Sequence, residues 1–208
     1  MTGIRPPQQK RSRASLERVL AAGTQLLEEE GWEAFTLAEV SRRAGVSIGS
    51  IYARMPSKDA LFRAIQERSL QRIDELRDGY ADLGRWRSFA SRELVSAVIA
   101  ELAATFEADA RIVSVIMHRG AVDDAVAGRS SERLRALGDR FRALLLTRRE
   151  EFVHGEPELA ADVAFRTAYG TLARQIMYGP TFESPNAIPW DRLVGELGDA
   201  CGTYLFGV

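Results

Sequence analysis

The residues with the most recognisable chemical spacing are Gly45-Val46-Ser47-Ile48-Gly49, which match the G-x-S-x-G pattern around the nucleophile of serine hydrolases. In those enzymes the serine lies in a strained turn after a β-strand, and an acid and a histidine follow later in the chain. Here a helical pattern precedes the serine, and the two histidines, His118 and His154, lie in no catalytic motif. We therefore predict that the protein is not an enzyme, and serine hydrolase activity is kept as a remote alternative.

The histidines and the single cysteine, Cys201, are also the residues to consider for a metal site or a disulfide. They lack the closely spaced pairs of a zinc site, and the sequence has no glycine-rich phosphate loop, so we predict no metal and no cofactor. One cysteine cannot form an internal disulfide, which suits a reducing compartment. No apolar run approaches the roughly 18 residues of a membrane span, and no signal-peptide pattern opens the sequence. We therefore expect a cytoplasmic protein without membrane contact.

Positive charge is concentrated near the start of the sequence, although the whole chain has a formal net charge of -1. Residues 1–70 contain 11 Lys and Arg against 8 Asp and Glu, whereas the remaining residues contain 17 against 21. Residues 1–13 hold four cations and no acid, which predicts a basic N-terminal arm. Such an arm suits contact with nucleic-acid phosphates, but a solvated tail has the same composition, and charge alone does not choose between them.

The elements that position these residues are predicted to be helices. Apolar residues three and four positions apart indicate a first helix, which Gly31 ends. Their positions are Leu16, Val19, Leu20, Gly23, Leu26 and Leu27. Thr36 and Glu39 have the spacing of a capping box, in which each side chain satisfies a free backbone N–H at the start of the next helix. That second helix starts at Leu37 and is short, because Gly45 favours the left-handed backbone that ends a helix.

Two further helices follow in this first third of the chain. Ser47 is placed to cap a short third helix, which Pro56 stops. Ser57 is placed to cap a fourth helix that runs to about Tyr80 and is long enough to bridge two bodies. These patterns divide the chain into the arm, a helical head at residues 14–58 and a helical body at residues 59–208.

The body is predicted to be helical throughout, and no alternating run is long enough for a sheet, so the fold class is all-α. The predicted helices span Trp86 to Phe106, Ile112 to Met117, Val122 to Phe152, Pro157 to Tyr178, and Pro189 to Phe206. The segment Ile112 to Met117 is apolar nearly all round, which predicts central burial. Residues 179–189 are rich in proline, glycine and asparagine and are expected to form an exposed loop.

Residues Leu37 to Met55 have the proportions of a helix-turn-helix, in which two short helices are joined by a tight turn containing glycine. Val46, in the turn, is placed to pack with Leu20, Leu37, Val40 and Ile51. The second helix starts with Ile48, Gly49 and Ser50, small or neutral residues that allow its N-terminal end to enter the DNA major groove. The cations that surround that end and suit phosphates are Arg42, Arg43, Arg54 and Lys58.

These residues resemble the DNA-binding signature of the TetR/AcrR family of transcription regulators. The resemblance covers about the first third of the chain and rests on Phe35-Thr36-Leu37, Ala44-Gly45-Val46-Ser47-Ile48-Gly49-Ser50-Ile51-Tyr52 and Ser57-Lys58-Asp59-Ala60-Leu61. It implies a three-helix DNA-binding head, a connecting fourth helix and a divergent ligand-binding body whose last two helices form the dimer interface. It also implies that Thr36, Tyr52 and Lys58 contact phosphates and that Ser47 to Ser50 lie at the base edges.

The sequence departs from the family pattern at two positions of the signature. Met55 stands where phenylalanine is usual, a tolerable exchange for a flexible apolar side chain. Arg54 stands where histidine or tyrosine is common, which either alters the preferred operator or adds a phosphate contact. Either reading keeps Arg54 among the predicted DNA-binding residues.

An effector site in the body is the least specific of the predictions. Its expected lining residues are Phe89, Phe106, Ile116, Met117, His118, Phe165, Tyr169 and Met177. Such side chains suit an apolar or aromatic small molecule, but they are equally ordinary members of a helical core. Arg174, within an apolar pattern, is interpreted as a paired structural charge in preference to an anchor for an acidic ligand.

The resulting hypothesis is a ligand-responsive transcription regulator, usually a repressor in this family, that binds a palindromic operator as a homodimer. A small effector would release it from double-stranded DNA. The alternative is a DNA-binding regulator of the same fold that answers to a partner protein and has no small ligand. The dimer is expected to use the last two helices, through Leu159, Val163, Leu172, Ile176, Leu193, Leu197, Tyr204 and Leu205, with close approach at Ala168, Gly170, Ala200 and Gly202.

Overall fold

The computed structural model describes residues 6–207, with side chains from residue 11 onward. Within that range the chain forms ten α-helices, one short 3-10 helix and no β-strand, so the predicted all-α fold is confirmed. The α-helices are α1 (Pro6–Ala34), α2 (Leu37–Ala44), α3 (Ile48–Tyr52), α4 (Lys58–Ala81), α5 (Leu83–Trp86), α6 (Ser91–Ala108), α7 (Ala110–Gly120), α8 (Asp124–Leu145), α9 (Pro157–Tyr178) and α10 (Trp190–Phe206). The 3-10 helix, Leu146–Glu151, follows α8 directly.

The chain divides into two compact units, Met1–Ser69 and Leu70–Val208, and the division falls within α4. The first turns of α4 belong to the N-terminal unit because their apolar side chains pack against α1. A Cβ added at Gly23 would lie 2.9 Å from Ile65 Cδ1 and 3.8 Å from Leu61 Cδ2, and the Trp32 and Phe62 rings meet edge to face at 5.2 Å. The predicted boundary, between residues 58 and 59, lies earlier in the same helix.

The first helix begins earlier than the apolar pattern suggested. Its first described residue is Pro6, and prolines are well suited to the first turn because their missing N–H has no helical partner there. Residues 1–5 of the predicted basic arm lie outside the described residues, and the rest of the arm is the beginning of α1. The helix is interrupted at Gly31 (φ 77°, ψ -168°), which confirms that glycine as its natural end, with one further turn to Ala34.

The caps of the short helices lie where the sequence predicted them. Thr36 Oγ1 accepts from the Glu39 N–H at 3.2 Å, Ser47 Oγ accepts from the Ser50 N–H at 3.3 Å, and Ser57 Oγ accepts from the Ala60 N–H at 3.1 Å. Gly45 ends α2 in the left-handed region (φ 60°, ψ 37°), where a Cβ would be strained. Val46 is buried in the turn, together with the predicted core partners Leu20, Leu37, Val40 and Ile51.

One half of the predicted capping box at α2 is wrong. The Thr36 hydroxyl caps the helix, but the Glu39 carboxylate accepts hydrogen bonds from Arg42 and Arg43 instead of the Thr36 N–H. Two guanidinium groups are stronger partners for a carboxylate than one neutral backbone donor. The charged side chains on α2 therefore decide where Glu39 points.

Helix α6 forms the centre of the C-terminal unit. One side of it is buried through Leu94, Val95, Val98, Ile99, Leu102, Ala103 and Phe106. Helices α6 and α10 form the most extensive contact between any two helices of the described chain. Their close crossing depends on Gly198, because an added Cβ there would lie 2.9 Å from Ser96 Oγ. The end of α4 is tied to the same helix, because the buried Tyr80 hydroxyl donates to the Val98 carbonyl at 2.7 Å.

Three helix predictions in this unit are corrected by the structure. The predicted helix from Trp86 to Phe106 is broken after Trp86, and α6 starts at Ser91, because the Glu93 carboxylate accepts from the Ala90 N–H at 3.1 Å and sets a new N-terminus. The predicted helix Val122 to Phe152 starts at Asp124, where Asp123 caps it, and tightens into the 3-10 helix after Leu145. Pro189 is the N-cap of α10 and not its first helical residue.

Helix α7 is amphipathic, which overturns its predicted central burial. Ile112 and Ile116 are its buried residues, Val113, Val115 and Met117 are partly exposed, and Arg111 and His118 are exposed. The sequence window Ile112 to Met117 was too short to show the polar positions that flank it, so the helical period could not be resolved within it.

Candidate nucleic-acid interface

Helix α3 is anchored by one side chain and exposes the others. Ile51 is buried, whereas Ser47, Ile48, Gly49, Ser50 and Tyr52 are exposed, Ile48 to 39% and Tyr52 to 54%. A short helix with a single apolar anchor has most of its surface free for another molecule. The exposed apolar surface of Ile48 and Tyr52 is therefore available for contact with a partner.

The serine hydroxyls at the start of α3 are connected to each other. Ser47 Oγ caps the helix and lies 2.8 Å from Ser50 Oγ. Both hydroxyls remain exposed, so each keeps hydrogen-bonding capacity for an external partner. Thr36 plays the corresponding part at α2, because its hydroxyl caps that helix and its side chain is exposed.

Arg43 is held by a cluster of three carboxylates. Its guanidinium donates to Glu29 at 2.8 Å and to Glu39 at 3.0 Å, and it pairs with Glu30 as well. Its side chain is only 19% exposed, in contrast to the 71% exposure of the neighbouring Arg42. Arg43 thus fastens α2 to the end of α1, and Arg42 has the freer guanidinium.

The same cluster shifts the ionisation of its members. Hydrogen bonds from Arg42 and then from Arg43 lower the pKa of Glu39 from 4.5 to about 2. The Glu29 and Glu39 carboxylates in turn raise the pKa of Arg43. Glu39 is therefore charged throughout the physiological pH range, and the brace between α1 and α2 stays intact there.

Lys58 is partly buried at the start of α4 and holds the end of α1. Its ammonium donates to the Trp32 carbonyl at 2.6 Å and lies 4.2 Å from the centroid of the Trp32 ring. A lysine ammonium has three donors, and the carbonyl takes one of them. Lys58 thus keeps donors for a phosphate, although its position is set by Trp32.

Arg54, immediately after α3, reaches the beginning of α1. Its guanidinium donates to Ser12 Oγ at 2.8 Å and to the Ser12 carbonyl at 3.2 Å, although the two residues are 42 positions apart in the sequence. No local sequence signal identifies Ser12 as a partner of Arg54. The predicted DNA-binding residue is therefore also a link between two helices.

The C-terminal unit brings some of the predicted effector residues together. The Tyr169 ring lies 5.6 Å from the Phe106 ring and 6.0 Å from the Phe165 ring, and Phe165 lies 5.2 Å from Phe141. Phe141 was not predicted, although it continues the apolar spacing of α8. Burial raises the pKa of Tyr169 to about 12, so its hydroxyl is a neutral hydrogen-bond donor.

Other predicted effector residues lie elsewhere or serve different partners. Phe89 packs on Trp86 at 5.7 Å, while Ile116 is buried and Met117 and Met177 are partly exposed. His118 is exposed, and its Nδ1 lies 2.8 Å from the Ser114 carbonyl of its own helix, so its role as an effector contact stays a prediction. Arg174 pairs with Glu183, which confirms its interpretation as a structural charge.

Two clefts on the C-terminal unit lie apart from the aromatic cluster. A cleft of about 430 Å³ is lined by Ala100, Ala103, Ala104, Glu107, Trp190, Asp191 and Val194. A second, of about 280 Å³, is lined by Arg72, Glu75, Leu76, Glu101, Ala104, Thr105 and Ala108. Both are lined mainly by alanine and charged side chains, which differ from the aromatic lining that the sequence predicted.

Comparison with known proteins identifies the family to which the N-terminal unit is similar. A family model described as bacterial regulatory proteins, tetR family, matches residues 19–65, which include α2, α3 and the start of α4. A TetR-family transcriptional regulator from Mesorhizobium loti superposes with a TM-score of 0.71 at 18% identity, over 92% of this chain and 95% of that one. A transcriptional regulator from Rhodococcus superposes with a TM-score of 0.65 at 25% identity, over 91% of this chain and 95% of that one.

A TetR/AcrR-type regulator from Aquifex aeolicus is similar over 89% of this chain and 96% of its own, with a TM-score of 0.61 at 19% identity. No curated protein matches the sequence. Residues 19–65 carry the N-terminal domain of the tetR family of bacterial regulatory proteins. This confirms the resemblance seen in the sequence, and the agreement with the solved structures extends the shared fold to the C-terminal unit.

The match of this N-terminal domain supports a DNA-binding regulator of transcription. The residues matched by the family model contain the exposed face of α3, the capped starts of α2 and α3, and Lys58. The similar solved structures from Mesorhizobium loti and Rhodococcus are described as transcriptional regulators. In this chain α2 occupies the place of the strand that a hydrolase elbow requires, and Ser47 is a helix cap, so the G-x-S-x-G match has no catalytic setting.

Two further properties of the described residues concern membranes and metals. Among the described residues, no helix is both long and apolar enough to cross a bilayer. In the same part of the chain, no three His, Cys, Asp or Glu side chains are grouped as metal ligands would be.

Proposed function

We propose that this TetR-family regulator is a repressor that reads a palindromic operator as a homodimer and leaves it when a small molecule binds the C-terminal unit. The observation that carries the DNA-reading part is the exposed face of α3, held by the single buried anchor Ile51. A major groove admits one α-helix, and base edges are read there by the side chains at the helix start.

The predicted contacts divide into two groups by chemistry. Ser47, Ile48, Gly49 and Ser50 face the bases, where hydroxyls donate or accept and Ile48 suits a thymine methyl group. Thr36, Arg42, Tyr52 and Lys58 contact phosphates, which position the protein and carry no sequence information. Arg43 is assigned to the brace with Glu29, Glu30 and Glu39 and is left out of the proposed contacts.

A dimer is proposed to form through the free faces of α9 and α10. Leu159 is 55% exposed and Tyr204 is 36% exposed, and the small residues Gly170 and Ala200 are exposed beside them. Other residues predicted for this interface lie inside the protomer, since Leu172, Leu197, Leu205, Ala168 and Gly202 are buried. Two DNA-reading units on a twofold axis would match half-sites about 34–36 Å apart.

The effector is proposed to be an apolar or aromatic molecule bound among Phe106, Phe165 and Tyr169. The neutral Tyr169 hydroxyl would supply the one directed hydrogen bond to a carbonyl or ether oxygen of the ligand, in an otherwise apolar setting. If the regulator is instead controlled by a partner protein, no small molecule should bind among these side chains.

The DNA-binding proposal is tested by selection from a random double-stranded DNA library with the full chain. We expect enrichment of an inverted repeat. Gly49→Glu should abolish enrichment, because a Cβ there meets nothing within 4 Å and the fold is kept while a negative charge faces the phosphates. Gly128→Glu, equally open but in α8, is the matched control and should select the same repeat as the wild type. Equal selection by Gly49→Glu would overturn the assignment of α3.

A further inference from the structure

The contact between Arg54 and Ser12 connects the segment that follows α3, the helix proposed to read DNA, to the beginning of α1. We propose that Arg54 is a positioning residue: it holds the first turns of α1 beside α3, so that Arg11 and Arg13 contact DNA phosphates next to the groove that α3 reads. This inference rests on the proposed DNA-binding function. It changes the role of Arg54 from a direct DNA contact to a support of two other cations.

The geometry of the link is specific to one residue of α1. The Arg54 guanidinium donates to both the hydroxyl and the carbonyl of Ser12, at 2.8 and 3.2 Å. Because two donors of the planar guanidinium bind the same residue, the orientation of the Arg54 side chain is fixed more closely than by a single hydrogen bond. Histidine or tyrosine, common here in the family pattern, has no such forked pair of donors.

The neighbours of Ser12 explain what this link positions. Residues adjacent in a helix point about 100° apart, so Arg11 and Arg13 flank Ser12 on either side. Both side chains are exposed. The face of α1 fastened to α3 is thus bordered by a cation on each side.

The positive charges near Ser12 remain available to an external anion. Arg54 binds two neutral groups of Ser12, so its own positive charge is not neutralised by this contact. Glu17, the first acid after the arm, is engaged by Arg68 at 3.1 Å. The exposed guanidinium groups of Arg11 and Arg13 attract a polyanion such as the DNA backbone.

The test uses the full chain and the DNA fragment recovered by the selection above, with affinities measured over a range of salt concentrations. Arg11→Gln with Arg13→Gln should lower the salt slope by about two per protomer, one for each phosphate that is no longer neutralised. Ser12→Ala keeps every charge, removes the shorter hydrogen bond and favours the helix, so weaker binding cannot come from a missing charge or an unstable α1. We expect its affinity to fall by about three- to tenfold.

The decisive comparison is a double-mutant cycle. Arg54→Ala should weaken binding in the wild type but change it less than about twofold when Arg11 and Arg13 are already glutamine, because nothing remains for it to position. Arg192→Gln, the same charge change on α10, is the control and should leave the slope unchanged. Additive effects of Arg54→Ala and the double variant would mean that Arg54 contacts DNA itself and would overturn the proposal.

Two other results would also reject it. One is Ser12→Ala binding with wild-type affinity and slope. The second is an unchanged slope in the Arg11 and Arg13 double variant. Failure of the wild-type chain to select any DNA would instead refute the proposed function, so the two failures are distinguishable.

Discussion

Arg43 and Lys58 show how a residue type alone can mislead about the role of a cation. Both are predicted from the sequence to contact DNA, yet Arg43 is enclosed by three carboxylates, while Lys58 shares its ammonium between a carbonyl and an aromatic ring. A guanidinium surrounded by acids has little charge left for a phosphate, whereas an ammonium on neutral partners keeps its full charge. The two residues should therefore respond differently to neutralisation.

Lys58→Gln is expected to weaken binding to all DNA sequences alike and to reduce the salt slope by about two per dimer, one for each phosphate contact. Changes at Ser50, which we propose faces the bases, should instead alter the preferred sequence at an unchanged slope. Salt titrations on the selected operator measure both. A wild-type slope for Lys58→Gln would show that its bond to Trp32 is its whole function.

Glu39 makes the brace between α1 and α2 sensitive to acid. Its folded pKa is depressed to about 2 from 4.5, so its contribution to stability is complete above the ordinary value and is lost as the pH falls towards about 2. We expect Glu39→Gln to lower Tm at about pH 6 and the difference from wild type to disappear near pH 2. A difference that persists at low pH would mean that packing, not charge, links Glu39 to its arginines.

At the scale of helices, the packing of α8, α9 and α10 decides which apolar side chains remain available. Gly138 of α8 lets the Phe165 ring of α9 approach so closely that an added Cβ would lie 2.7 Å from Phe165 Cε1. Leu197 of α10 is 7% exposed and belongs to the core of its own protomer, whereas Leu159 of α9 is 55% exposed. These differences between residues of similar type separate core from interface.

Gly138→Ala is expected to displace Phe165 and to destabilise the fold by about 1–3 kcal/mol, the usual cost of overpacking. Gly128→Ala is the matched control on the same helix, because nothing lies within 4 Å of its Cβ. It should stabilise the protein by up to about 1 kcal/mol through helix propensity. Denaturant unfolding compares the two, and equal effects would contradict close packing at Gly138.

Leu159→Glu should dissociate the proposed dimer without unfolding the protomer, since it places a charge on an exposed interface position. Leu197→Glu should unfold the protein, because it buries an unpaired charge. Val122→Glu, at a residue 77% exposed on the loop before α8, is the control and should change neither property. Light scattering reports assembly and circular dichroism reports folding. A Leu159→Glu protein that remains a dimer would place the interface elsewhere.

At the scale of the whole molecule, α4 contributes residues to both compact units, and we propose that effector binding acts on DNA binding through this helix. Coupling between two sites is reciprocal, so an effector that weakens operator binding must itself be weakened by operator. A hundredfold effect corresponds to about 2.7 kcal/mol, which is within the usual allosteric range. The proposal needs no direct contact between effector and DNA.

A thermal-shift screen of apolar and aromatic compounds is expected to identify a stabilising ligand, because binding to the folded state raises Tm. Calorimetry of that ligand should then show about a hundredfold weaker binding with operator present. Tyr169→Phe, which removes only the hydroxyl, should weaken the ligand while leaving operator affinity unchanged. Equal ligand affinity with and without operator would exclude the compound as an inducer. A broad screen without any stabilising compound would favour control by a partner protein.

The sequence by itself determined the features that depend on neighbouring residues. Thr36, Ser47 and Ser57 cap helices because a hydroxyl needs only the N–H groups two or three positions ahead, and Gly45 ends α2 because it alone tolerates the left-handed backbone there. The all-α fold and the TetR resemblance follow from such short-range patterns.

Only the tertiary structure decided which partners meet across the chain. The three carboxylates around Arg43 and the hold of Arg54 on Ser12 join α1 to residues far along the sequence, and no periodicity relates them. The same holds for Leu197 and Leu159, leucines on amphipathic helices whose burial depends on where α6 packs. A helical pattern defines an apolar stripe, but the neighbouring helices determine how much of that stripe they cover.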